Sequence, residues 1–146
     1  MQKRVLAFLA AGFWISISEF VRNELLFKSY WLEKYSSLGM VFPAEPINNG
    51  LWGVWSFMLA GVIVYLLHRL RFVETIVVVW FSAFVLMWVV IGNLNVLPMG
   101  LLVFAVPLSI LEVAVAAWLG RSVLGLRRTE RLVHTESREA RISGPD

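Results

Sequence analysis

The chain contains no cysteine. That absence excludes a disulfide framework, a thiolate metal site and thiol redox chemistry from its own side chains. Charge is also scarce, at 16% of 146 residues, where a soluble domain carries roughly 25%. Histidine occurs only at His68 and His134. Zinc needs three or four protein ligands, so no metal centre is expected from so small a supply. No nucleophile triad and no phosphate-binding glycine loop can be read anywhere in the sequence. No catalytic residue is therefore assigned, and no cofactor is expected. The net charge of +3 has no aromatic and basic stripe beside it, which argues against nucleic acid as a partner.

What the chain has in abundance is apolar sequence, 59% of residues, with a mean hydropathy of +0.74. It falls into four runs, at about 5–27, 50–69, 74–93 and 98–120. Each reaches the roughly 20 residues that a helix needs to cross a bilayer core. The spacing predicts an all-α protein, a four-transmembrane-helix bundle forming one membrane domain over 1–122. A largely flexible tail is expected over 123–146, starting as an amphipathic helix (Val123, Leu124, Leu126, Leu132) and fraying by Ser143.

The basic residues read as topology. Lys3 and Arg4 precede the first run, Arg69 and Arg71 separate the second from the third, and Arg121, Arg127, Arg128, Arg131, Arg138 and Arg141 follow the fourth. If every run spans, all three groups lie on one side, and the other side holds only Arg22, Lys28 and Lys34. The positive-inside rule then places both termini in the cytoplasm, as expected of a multi-pass protein of the cell inner membrane. The first 18 residues have the outline of a signal peptide. Apolar sequence resumes at Phe20 and Val21, however, so an uncleaved first span is the expectation.

Between the first two runs, Tyr30, Trp31, Tyr35 and Phe42 alternate with Lys28, Glu33 and Lys34. Such a mixture suits the headgroup zone. The segment predicts a short interfacial helix near 29–37 followed by an extended lid, with Pro43 and Pro46 stopping any helix and Asn48, Asn49 and Gly50 capping the second span. Tyr30, Trp31 and Tyr35 are the candidate surface for a partner.

Two acids stand out because a charge at the middle of a span costs roughly 2.5–3.5 kcal/mol. Glu19 shares a helix face with Gly12, Ser16 and Asn23, and Arg22 is its expected ion-pair partner, with Glu24 as the alternative partner for Arg22. Glu112 shares a face with Ala105, Ser109, Ala116 and Gly120, a small-residue stripe that lets helices approach closely. Pro107 upstream should kink the fourth span. No cation is evident at the depth of Glu112, which leaves a protonated acid, a hydrogen bond to Ser109 or Ser82, or pairing with His68 or Arg69. Glu19, Arg22, Asn23, Ser109 and Glu112 are thus the candidate ligand or proton site. The amides of Asn93 and Asn95 are expected to cap the third span, with lining of the outer mouth beside Glu19 as the alternative. The tryptophans are read as interface belt or bundle packing, with an aromatic-lined pocket as the alternative.

The segment from Ser18-Glu19-Phe20-Val21-Arg22-Asn23-Glu24 into Lys28-Ser29-Tyr30-Trp31, the Pro-containing loop, the Gly50-Leu51-Trp52 opening of the second span and the Gly92-Asn93-Leu94 end of the third together resemble small bacterial four-helix integral membrane proteins of unknown function. The resemblance implies a four-span bacterial inner-membrane protein and carries no catalytic residue. Glu19, Arg22, Asn23 and Glu24 are also similar to the acidic and basic motif of four-helix glutathione-using membrane transferases. That motif belongs on the cytoplasmic side, and this one reads as external. Three function classes follow: a non-enzymatic membrane component binding a partner protein or lipid; an oligomeric small transporter or channel using Glu112 and Glu19; and an intramembrane enzyme acting on lipid or quinone. The last is disfavoured because the two acids read as lying at different depths.

Overall fold

The computed structural model describes residues 1–126. The basic residues from Arg127 onward, His134 and the tail readings at Leu132 and Ser143 lie outside the described residues. Among the described residues the protein is all-helical. Helix α1 (Gln2–Phe20) continues through a π-helical turn (Val21–Leu26), and α2 (Lys28–Ser37) is a short helix that follows it. Then come α3 (Pro46–Leu66), α4 (Phe72–Trp80), a second π-helical turn (Phe81–Val85), α5 (Leu86–Asn93), a 3-10 turn (Met99–Leu101) and α6 (Leu102–Leu124). Four stretches, Gln2–Leu26, Pro46–Leu66, Phe72–Asn93 and Met99–Leu124, are long and apolar enough to cross a membrane. Their large exposed side chains, among them Leu6, Ile17, Met58, Val89 and Leu111, would be untenable as a continuous surface in water and are natural against lipid.

Helix α1 is the centre of the bundle. It packs most extensively against α6 and α3, while α4 closes the ring through α6 and, more lightly, α3. The close approach comes from small residues: Ala7, Ala11, Ala60, Ala116 and Ala117 are fully buried, so neighbouring backbones come together where larger side chains would hold them apart. Gly12 is the tightest point, because a Cβ built there would lie 2.4 Å from the Phe57 ring. The chain enters at the end of the bundle that also holds the turn between α3 and α4, here called the terminal end. Helix α2 lies at the other, the lid end.

Both π-helical turns solve the same packing problem. In an α-helix, residues five apart point about 140° away from each other, whereas in a π turn they stack. The first turn is closed by the Phe27 amide donating to the Arg22 carbonyl at 3.0 Å. It leaves Arg22 and Phe27, five residues apart, both buried. The second does the same for Val79 and Phe84. The first span therefore keeps buried residues inward to Phe27, and the third to Phe84, beyond which α5 has none.

One expectation for the lid loop is corrected. Pro46 opens α3 rather than stopping a helix, since the first helical position needs no backbone donor, and Asn48, Asn49 and Gly50 lie inside the first turns of α3. Helix α6 runs without interruption past 120 to Leu124 and ends at Gly125, whose left-handed φ of 76° suits a C-terminal cap. Its amide is bonded to the carbonyls of Arg121 and Ser122. Asn95 also adopts a left-handed conformation, φ 57°, and its side-chain oxygen accepts from Lys34 Nζ at 3.0 Å. That bond links the turn after α5 to α2.

Candidate functional site

The polar residues of α1 and α6 meet around one guanidinium. Arg22 Nη2 donates to Glu19 Oε1 and lies 3.6 Å from Glu112 Oε2. Glu19, Arg22 and Glu112 are 4%, 7% and 1% exposed, so the three form a buried Glu-Arg-Glu triad. The supporting donors come from α1, its π-helical turn and α2. Ser18 Oγ donates to Glu112 Oε2 at 2.6 Å, Asn23 Nδ2 donates to Glu19 Oε2 at 2.6 Å, and Trp31 Nε1 donates to Asn23 Oδ1 at 3.2 Å. The guanidinium also sits 5.2 Å from the centroid of the Phe84 ring, within reach of the ring's negative face. Arg22 and Phe84 each belong to a π-helical turn, and such turns are frequent at functional sites.

This geometry corrects two sequence readings. Glu112 has a cation beside it, Arg22, and its hydroxyl donor is Ser18 rather than Ser109 or Ser82. Glu19 and Glu112 also occupy one depth. The reason is directional: side chains lean toward the N-terminus of their own helix. Arg22 on α1 leans back toward the bundle middle, and Glu112 on the antiparallel α6 leans toward the lid end, so residues whose backbones sit at different heights converge.

The other candidates have structural partners. Ser109 Oγ receives a bond from Trp80 Nε1 at 2.9 Å and donates to the Val106 carbonyl. Trp14 Nε1 donates to the backbone carbonyl of Glu112 at 3.0 Å, which ties α1 to α6 beside the triad. Glu24 pairs with Lys28 at 2.6 Å rather than with Arg22. The imidazole Nδ1 of His68 lies 2.8 Å from the Val64 carbonyl, at the terminal end and away from Glu112. Tyr30, Trp31 and Tyr35 are half-buried. Tyr30 sits edge-on to Phe27, and Tyr35 edge-on to Phe42.

Among the described residues, four buried polar atoms have no partner: Arg22 Nη1, Glu112 Oε1, Ser16 Oγ and Thr75 Oγ1. Leaving such an atom unmatched costs about 1–3 kcal/mol, more when the group is charged. Two of the four belong to the triad, and a third, Ser16, lines a cavity next to it.

That cavity has a volume of about 460 Å³ and lies between the lid-end half of α1, the lid segment and the start of α3. Its polar lining includes Ser16, Glu19, Asn23, Glu24, Asn48, Asn49 and Ser56; its apolar lining includes Trp31, Tyr35, Phe42, Trp52 and Trp55. The lining residues Phe20, Leu51 and Trp52 are also exposed on the apolar outer surface, so the mouth borders the lipid-facing girdle. Sequence reasoning placed most tryptophans in packing or belts. Three of the seven in the chain line this cavity, and the signal was their gathering at the lid-end half of the second span and in α2. Among the described residues, no three His, Asp or Glu side chains come together as a metal site.

The chain matches no protein-family model, no curated protein and no solved structure. What stands is a small multi-pass membrane protein whose four spans enclose a buried ionic triad beside an aromatic cavity.

Proposed function

We propose that this protein is a non-enzymatic membrane component that binds a lipid or other amphiphile in the cavity beneath its lid. The carrying observation is the cavity itself. Its volume lies within the roughly 300–1,000 Å³ of small-molecule sites, and it combines mostly apolar walls with a few convergent polar groups. A mouth that borders the lipid-facing surface suits a ligand arriving from the bilayer. A partner protein seated on α2 is the less favoured form of this reading, since Tyr30, Trp31 and Tyr35 are half-buried against the protein's own residues. The reading places the protein in a bacterial inner membrane with both termini cytoplasmic and the cavity toward the outer leaflet.

A photoreactive alkyl amphiphile tests it. Labelling should concentrate on peptides covering 16–24 and 42–56. Gly53 lines the cavity and has open space where a Cβ would go, so Gly53→Leu should fill the cavity and remove that labelling. Labelling spread evenly over all lipid-facing surfaces, and unchanged in Gly53→Leu, would overturn the proposal.

A second reading is favoured by the orphaned Glu112 Oε1 and by the bridging of two acids by one guanidinium. It is an oligomeric small transporter or channel using Glu112 and Glu19 as a proton or cation site. Four helices leave little room for alternating access within one copy, so this reading requires self-association. Under it, Glu112→Gln abolishes a pH-dependent flux in proteoliposomes while the protein stays folded; unchanged flux rejects it.

A further inference from the structure

We propose that the cavity takes a small hydrophobic ammonium ion, which enters in exchange for a proton held by the Glu19 and Glu112 pair. The inference rests on the reading of the cavity as an amphiphile site and adds the ligand's chemical class. The first argument is the sign of the lining. Glu19 and Glu24 line the cavity, whereas their partners Arg22 and Lys28 do not, so the charged residues of the lining are both acids, each backed by a cation outside it. The second is the nature of the walls. Trp31, Tyr35, Trp52 and Trp55 supply aromatic faces, and rings around a carboxylate are the chemistry that recognises ammonium groups. An anion would meet the same acids with no lining cation to hold it.

The third argument is charge balance. Glu24 and Lys28 form a neutral pair, leaving Glu19, Glu112 and Arg22. With both carboxyls ionised, these three carry one net negative charge, buried where uncompensated charge is expensive. One proton or one monovalent cation makes the site neutral, so the two are alternatives. Among the described residues no other charged side chain lines the cavity; Glu45, in the lid segment between the lining residues Pro43 and Asn48, is exposed. Within α3 there is no charged residue, and Tyr65 lies in its last turn; Glu74 is in the first turn of α4 and Arg121 in the last turn of α6, all at the terminal end. On α2, Glu33 is exposed and Lys34 is bonded to Asn95. The exchange breaks no covalent bond except that of the carboxyl proton, which leaves to solvent as the ammonium takes its place.

The test compares three probes on the full chain in nanodiscs: octyltrimethylammonium, its uncharged isostere with carbon in place of nitrogen, and octyl sulfate. Calorimetric titration should show the cation binding at least tenfold more tightly than the isostere, with the sulfate weakest. In weak buffer, close to one proton should be released per cation bound and none with the isostere. Glu19→Gln and Glu112→Gln should each bring the cation's affinity to within about twofold of the isostere's in the same variant and abolish the proton release. Equal binding of cation and isostere would overturn the ammonium assignment and leave the amphiphile reading standing. Tighter binding of the sulfate would also overturn it, and cation binding without proton release would overturn the exchange. Failure of all three probes to bind would remove both readings.

Discussion

Replacing Arg22 with Met probes whether the triad is held by its charge. The guanidinium lies 3.6 Å from Glu112 Oε2 and donates to Glu19. At an effective dielectric of about 20, a unit pair at that distance attracts by roughly 4–5 kcal/mol. Desolvation offsets part of this in the intact protein. Removing one partner strands the rest, and such losses run to about 3–5 kcal/mol. Arg22→Met should therefore destabilise the bundle by about that much, although Met keeps most of the apolar stem. Glu112→Gln should cost less, since Gln Oε1 can still accept from Ser18. The double variant should be less destabilised than the two losses added together, with a coupling of about 1–3 kcal/mol. Tryptophan fluorescence during titration with sodium dodecyl sulfate in mixed micelles measures all three. An Arg22→Met protein within about 1 kcal/mol of the wild type, or strictly additive losses beyond the usual error of roughly 0.5 kcal/mol, would refute the argument that the ionic contact organises the bundle.

Gly12→Ala should destabilise by about 1–3 kcal/mol through overpacking, because the new Cβ would lie 2.4 Å from a Phe57 ring that is flanked by Phe8 and Phe13. Phe57→Leu in the same chain should recover part of the loss, and the same unfolding titration reads both. Trp80→Phe removes the 2.9 Å bond to Ser109 and should cost about 1 kcal/mol; adding Ser109→Ala should cost little more than either change alone. The absence of native cysteine lets single cysteines report topology without background. In intact cells, Ser36→Cys should react with a membrane-impermeant maleimide and Lys3→Cys only after permeabilisation; the opposite pattern would invert the proposed orientation.

The spans were legible because four runs of about 20 apolar residues admit few other folds. The pairing of Glu19 with Arg22 was legible too, since residues three apart on a helix are neighbours. The meeting of Arg22 with Glu112 was not. Depth along a span was read from backbone position, and two long side chains leaning toward each other from antiparallel helices close a gap that residue counting leaves open. The π-helical turns were equally hidden. They show as a five-residue spacing between buried positions, Arg22 to Phe27 and Val79 to Phe84, and within an almost wholly apolar span no polar face marks which positions are inside. The start of α3 is not legible from Pro46 alone, because its fixed φ breaks a helix interior and equally suits the first position of one.

The π-helical turn over Val21–Leu26 has a consequence for how such a protein varies over generations. Loss of one codon between Arg22 and Phe27 would restore a regular α-helix and leave the two four residues apart, a spacing that shares a face in an α-helix as five does in the π turn. Phe27 would stay packed against Leu101 and Ala105, and α2 would stay over the cavity. The same loss in the regular part of α1 would turn everything downstream on that helix by about 100°. Related chains that differ by one residue at this turn can therefore keep the roof over the site, whereas chains that differ by one residue elsewhere in α1 cannot.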